Sequence, residues 1–225
     1  MSGTLQVHPR LEVQRARPWG RAWWARAWVR AVEESAYASS DLARGRSLAR
    51  AAAVGGIGVG PGEVRAAVVD GEHLCSVRVE VPVLDETAAL VEVVAAEPDR
   101  AAALLRGELD HDLVEHAEEA GVELLPDGRE LSASGTCAAW VDPCPHALAV
   151  LLQLGWLVDD DPLVLLHLRG LARDDLLAAL HAREPEVGAV EIALDAAERA
   201  RRLLAALEGD GGHREDGPGD LDHLW

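Results

Sequence analysis

Lysine and phenylalanine are absent from this 225-residue sequence, which has a single tyrosine and a single methionine. With 49% hydrophobic residues, a core can still be buried, but aliphatic side chains and tryptophan must build it. All 21 basic residues are arginine, the mark of a GC-rich coding bias. Cysteine is also scarce. Three is an odd number and does not suggest a disulfide framework, so a reducing cytoplasm is the expected compartment. Long apolar runs are missing too. The longest, near 147–158, is shorter than the ~20 residues that span a bilayer. The N-terminus carries no apolar stretch of signal-peptide type.

The formal charge of −18 is unevenly spread. Residues 1–50 hold nine arginines against Glu12, Glu33, Glu34 and Asp41, or +5, and the remainder is −23. Affinity for phosphate rests on clustered positive charge. The acidic bulk therefore excludes a protein that coats nucleic acid unaided, and it suits solubility or a basic partner.

The expected fold class is α+β, with a small antiparallel sheet of three or four strands before residue 84. Residues 1–16 read as a flexible polar arm. Pro18 opens a helix to about Glu34, in which Trp24, Trp28 and Val32 recur every four residues on one face. Packing of that face on the sheet is favoured over stacking of tryptophan on nucleic-acid bases. Ser39-Ser40-Asp41 reads as a turn, and strand patterning begins near Ser47. Gly55 to Gly62 invites a phosphate-loop reading, but no lysine follows and the run leads into a strand, so a tight turn is expected. Asp70-Gly71 signals a hairpin, and Val77, Val79 and Val81 alternate with Arg78 and Glu80. Helices are expected over 85–120, with Asp85 as N-cap, then a short strand at 122–125. Three more helices follow at about 161–169, 172–183 and 192–208. Residues 209–225 read as a disordered acidic tail, removable without loss of fold. The domain reading is an arm at 1–16, an α/β region at 17–131, a finger at 132–157, helices at 158–208, and the tail.

Chemistry concentrates in Gly135-Thr136-Cys137-Ala138-Ala139-Trp140-Val141-Asp142-Pro143-Cys144-Pro145-His146. Asp142 as N-cap and Pro143 at the first helical position would start a helix and put Cys144 in its first turn. The helix dipole there favours thiolate, the form that binds metal. Cys144 and His146 can then reach one ion, with Cys137 supplied by the end of a preceding strand. Zinc takes four such ligands in a tetrahedron.

This segment resembles the SWIM-type zinc finger, whose pattern is Cys-x-Cys, a spacer, then Cys-x-His. Cys137, Trp140, Pro143, Cys144 and His146 match its second cysteine, frequent aromatic, frequent proline, third cysteine and histidine. Trp19 to Trp28 and Leu42 to Arg50 resemble the N-terminal part of bacterial SWIM proteins, and Asp159 to Leu180 resembles their segment C-terminal to the finger. The likeness covers most of residues 17–183. It implies zinc held by Cys137, Cys144 and His146, and a protein- or nucleic-acid-binding accessory of a Swi/Snf-type helicase-like ATPase. Gly135 stands where the family has its first cysteine. The fourth position would be water, a recruited group (Asp142, Cys75, His111 or His116, none with supporting spacing), or the site would be metal-free. Strand alternation would aim residues 135 and 137 at one point.

Taken alone, Cys75 reads as a small core hydrophobe. A nucleophile with its base is not apparent, since a local Cys-x-His suits ligation better than thiol hydrolysis. The chain is therefore read as non-enzymatic, without a membrane segment, and with weak or indirect contact to nucleic acid. Two rivals are a metal-free scaffold held by Trp140 and leucine packing, and a redox thiol protein pairing Cys137 with Cys144.

Overall fold

The protein, seen in a computed structural model, is described over residues 5–137, 140–183 and 194–202. In chain order the elements are β1 (Gln6–His8), α1 (Trp23–Ser35), α2 (Ser39–Arg50), β2 (Val54–Gly60), β3 (Glu63–Asp70) and β4 (His73–Glu80). Then come α3 (Thr87–Ala95), α4 (Pro98–Leu105), α5 (His111–Glu119), β5 (Ser132–Gly135), α6 (Pro145–Asp160), α7 (Leu163–Leu168) and α8 (Arg173–His181). The chain divides into two units, Met1–Leu180 and His181–Trp225. In the second unit, residues 194–202 are helical and carry the ion pairs Arg199–Asp195 and Arg202–Glu198. The expected tail at 209–225 lies outside the described residues.

Alternation builds the sheet. Val64, Ala66 and Val68 of β3 and Cys75, Val77 and Val79 of β4 point to one buried face, while Arg65 and Arg78 face outward. The two strands pair antiparallel around Asp70-Gly71, with Gly71 at φ +62°. The α+β class holds, but the sheet has five strands in the order β1-β2-β3-β4-β5. One extra strand, β1, comes from the segment read as a loose arm, pairing Val7 with Gly58. The other, β5, arrives from beyond residue 84 and pairs Val77 with Gly135. Most of the glycine run is strand β2, and only its end, Pro61-Gly62 with Gly62 at φ +74°, is the expected tight turn; the bare strand surface lets Leu5 lie against Gly58 and Gly60. No strand forms at 122–125, although Val122 and Leu124 are buried.

Helix α6 is the hub. From Ala147 to Trp156 every residue is buried, the pattern of a helix apolar all round. It packs on the sheet and on α1 and α2. The tryptophan face of α1 does bury Trp24, Trp28 and Val32, but its main partner is α6, not the sheet. Trp28 Nε1 donates to the Leu151 carbonyl at 3.0 Å and Trp24 Nε1 to that of Val158 at 2.9 Å. Helix α2 replaces the expected turn and strand start at 39–50. It approaches α6 so closely that a Cβ at Gly45 would lie 2.8 Å from that of Leu148. Neither Pro18 nor Asp85 starts a helix: α1 begins at Trp23, and the N-cap position of α3 is Glu86.

A carboxylate from α6 caps α1. Asp159 accepts from the N–H groups of Arg21 (2.9 Å) and Ala22 (2.8 Å) and from Arg21 Nε (3.0 Å). Burial works to raise its pKa, but these hydrogen bonds and the guanidinium outweigh it and hold the carboxyl below the usual range. With the folded pKa depressed, this stability is present above the unfolded value near 3.9 and is lost as pH falls through the folded one. Asp159→Asn should cost about 1.5–3 kcal/mol at pH 7, the range for hydrogen bonds to a charged group, and less at pH 3. Denaturant unfolding at both pH values checks this, and an equal cost at both would contradict it.

Candidate metal centre

The β3–β4 turn, the end of β5 and the start of α6 meet at one corner of the sheet. Asp142 does not cap a helix. Its carboxylate turns back to accept from the Ala133 N–H at 2.8 Å, and the helix starts two residues later than expected, with Cys144 at the N-cap and Pro145 in the first turn. No capping hydrogen bond to the Cys144 side chain forms, but the nearby backbone N–H groups of Ala147 and His146 favour its charged form. Cys137 is placed by Thr136, whose N–H donates to the Ser76 carbonyl (3.0 Å) and whose hydroxyl accepts from the Ser76 N–H (2.9 Å). These bonds extend the β5–β4 pairing by one residue past Gly135.

Cys137, Cys144 and His146 are brought together as expected, and they can hold a metal ion. Their ligand atoms all lie within 4.8 Å of one another, and the two sulfurs are 3.2 Å apart. That is wider than a disulfide bond of ~2.05 Å and somewhat narrower than the ~3.8 Å between two thiolates on a tetrahedral zinc. Burial, opposed by the backbone N–H groups and reinforced by Cys137, pushes the Cys144 thiol up to about 11. His146 Nδ1 is buried without a hydrogen-bond partner, while Nε2 lies 3.3 Å from Asp70 and 3.8 Å from the Cys75 sulfur. Asp70 is paired with Arg44, the main cause of its lowered pKa.

The other residues expected near the site divide. His111 stacks on Trp23, with ring centroids 3.8 Å apart, and His116 contacts Arg100, so neither joins the cluster. Trp140 is fully exposed, so packing by this residue cannot hold a metal-free scaffold together. Gly135 has no room for a side chain. A Cβ built there would lie 2.6 Å from the Ser76 carbonyl oxygen. Gly135→Cys is therefore expected to lower the melting temperature and to leave zinc affinity no higher than the parent's. A gain in both would show that β5 can shift to admit the side chain. Cys75, one of the candidates for recruitment, does lie beside His146, whereas Asp70 escapes a sequence-based reading because it is 76 residues from His146 along the chain.

No family model and no solved structure matches the chain. It is similar to a protein of Mycobacterium tuberculosis (strain ATCC 25618 / H37Rv) named "Uncharacterized protein Rv2102", with 32% identity over 150 residues. The match takes in 64% of this chain and 53% of that protein, so the chain spans about half the length of the curated relative it matches.

Proposed function

We propose that this chain is a non-enzymatic interaction protein of the SWIM zinc-finger type, working in the cytoplasm as an accessory of a Swi/Snf-type helicase-like ATPase. The observation that carries the reading is the convergence of Cys137, Cys144 and His146 from three chain positions. Zinc suits the donor set of two sulfurs and an imidazole, and the backbone N–H groups near Cys144 favour its thiolate. When bound, the ion fastens the end of β5 to the start of α6 and fixes the loop that displays Trp140. An exposed tryptophan is the residue type that most often anchors a protein interface. The non-enzymatic reading draws support from a cavity of about 600 Å³ whose charged lining of Glu63, Arg65, Arg78 and Glu80 is already ion-paired. A redox role draws support from the 3.2 Å sulfur separation, but reactive thiols have lowered pKa values and that of Cys144 is raised.

Direct binding to nucleic acid is expected to be weak. Arg10, Arg17, Arg21, Arg44, Arg46 and Arg50 of the basic segment are already engaged by carbonyls or carboxylates. Fluorescence titration of a DNA duplex should show binding that falls steeply between 50 and 200 mM salt. Tight, salt-insensitive binding would contradict the reading. The partner is tested by affinity purification of the tagged chain from its own cells. A helicase-like ATPase should co-elute with the parent and be lost after chelation or with Trp140→Ala. Recovery of no such ATPase would overturn the partner assignment.

A further inference from the structure

The missing first cysteine has a substitute in space. Extending the β4–β5 register past Val77↔Gly135 by the Ser76–Thr136 hydrogen bonds places Cys75 directly across from Cys137. Directly opposed residues of an antiparallel pair share a face, with Cβ atoms about 4.5–5.5 Å apart. Cys75 is on the buried face, beside Val77 and below the start of α6. Its sulfur is 3.8 Å from His146 Nε2. In a tetrahedron with Zn–S of 2.3 Å and Zn–N of 2.0–2.1 Å, a sulfur and a nitrogen are about 3.6 Å apart. That separation fits two ligands of one ion.

We infer that Cys75 of β4 is the fourth ligand, so that the centre is a Cys₃His site assembled across two strands rather than from one finger segment. The inference rests on the zinc reading of the Cys137, Cys144 and His146 cluster. It accounts for two observations together. Gly135 is packed so tightly on Ser76 that a side chain there has no room, and a third cysteine lies on the neighbouring strand, facing the histidine. Asp70 is the rival donor, 3.3 Å from the same nitrogen. Its carboxylate is already held by Arg44 and is partly exposed, whereas closed structural zinc sites favour buried thiolates. Because β4 is an interior strand, between β3 and the edge strand β5, a ligand there ties the finger to the sheet itself.

The test loads the full chain and its Cys75→Ser, Asp70→Asn and Cys144→Ser variants with cobalt(II) and then zinc. Thiolate-to-cobalt charge-transfer absorption should correspond to three thiolates in the parent and in Asp70→Asn, and to two in Cys75→Ser. Loss of outer partners costs zinc sites ~10–100-fold, so Cys75→Ser should weaken zinc by more than ~100-fold and Asp70→Asn by less. Metal-free melting of Cys75→Ser is compared with that of the metal-free parent, to separate ligation from folding. X-ray absorption of the unmodified zinc-loaded chain should count three sulfurs and one nitrogen, whether or not the variants fold. Two sulfurs in that spectrum, or unchanged cobalt absorption in Cys75→Ser, would overturn the Cys75 assignment. If Cys144→Ser still abolishes binding in that case, the three-residue site stands without it. A parent that takes up neither metal overturns both.

Discussion

Trp28→Ala is expected to lower the melting temperature by roughly 6–20 °C. Trp28 is fully buried between α1 and α6, with its indole N–H on the Leu151 carbonyl. A Cβ at Gly155 would lie 3.0 Å from the indole, so helix and ring are in close contact. Truncating such a tryptophan costs about 3–5 kcal/mol through lost burial and the cavity left behind. Each kcal/mol shifts the melting point of a chain this size by about 2–4 °C. Without phenylalanine, few side chains could refill the space. Trp140→Ala is the control: fully exposed, it should change stability by less than ~0.5 kcal/mol. Equal losses for the two variants, by calorimetry at matched zinc, would contradict a core built between α1 and α6.

Removing zinc should have an effect of similar size. A ligand that binds only the folded state at ~1,000 times its Kd adds about 4 kcal/mol, or roughly 8–16 °C here. Chelation, or Cys144→Ser in the presence of zinc, should abolish that increment. The pH dependence has a definite sign. In the metal-free chain the Cys144 thiol is pushed up to about 11 by burial, above the ~8.5 of an unfolded cysteine. Its contribution is therefore fully present below pH ~8.5 and is lost as pH rises through the folded value. Zinc binds thiolate, so the loaded chain should not show this alkaline loss, and its zinc affinity should fall as pH drops. Melting curves at pH 6, 8 and 10 with and without chelator check both statements. Curves that coincide with and without chelator at every pH would contradict them.

The parts of the fold visible in the sequence are those with strong periodicity. Val77, Val79 and Val81 alternating with Arg78 and Glu80 mark β4, and the four-residue spacing of tryptophans marks α1. Helix α2 is hidden because its buried positions include Gly45 and Ala49, which carry little hydrophobic signal among arginines. Strand β1 is hidden because a three-residue edge strand is specified by its partner β2 and not by its own pattern. At the site, Cys137, Cys144 and His146 stand close in sequence and are legible there. Cys75 looks like a core residue because its sequence neighbours are strand residues. Its meaning lies in the residues across the sheet and above it, which only strand register and the landing point of α6 reveal.

The most direct measurement is the metal content of the purified full chain, by native mass spectrometry alongside elemental analysis. The expected result is one zinc per chain, retained through gel filtration, removed by a strong chelator, and absent from Cys144→Ser. A parent chain that is folded and carries no metal, even after incubation with excess zinc, would contradict the zinc-centre assignment.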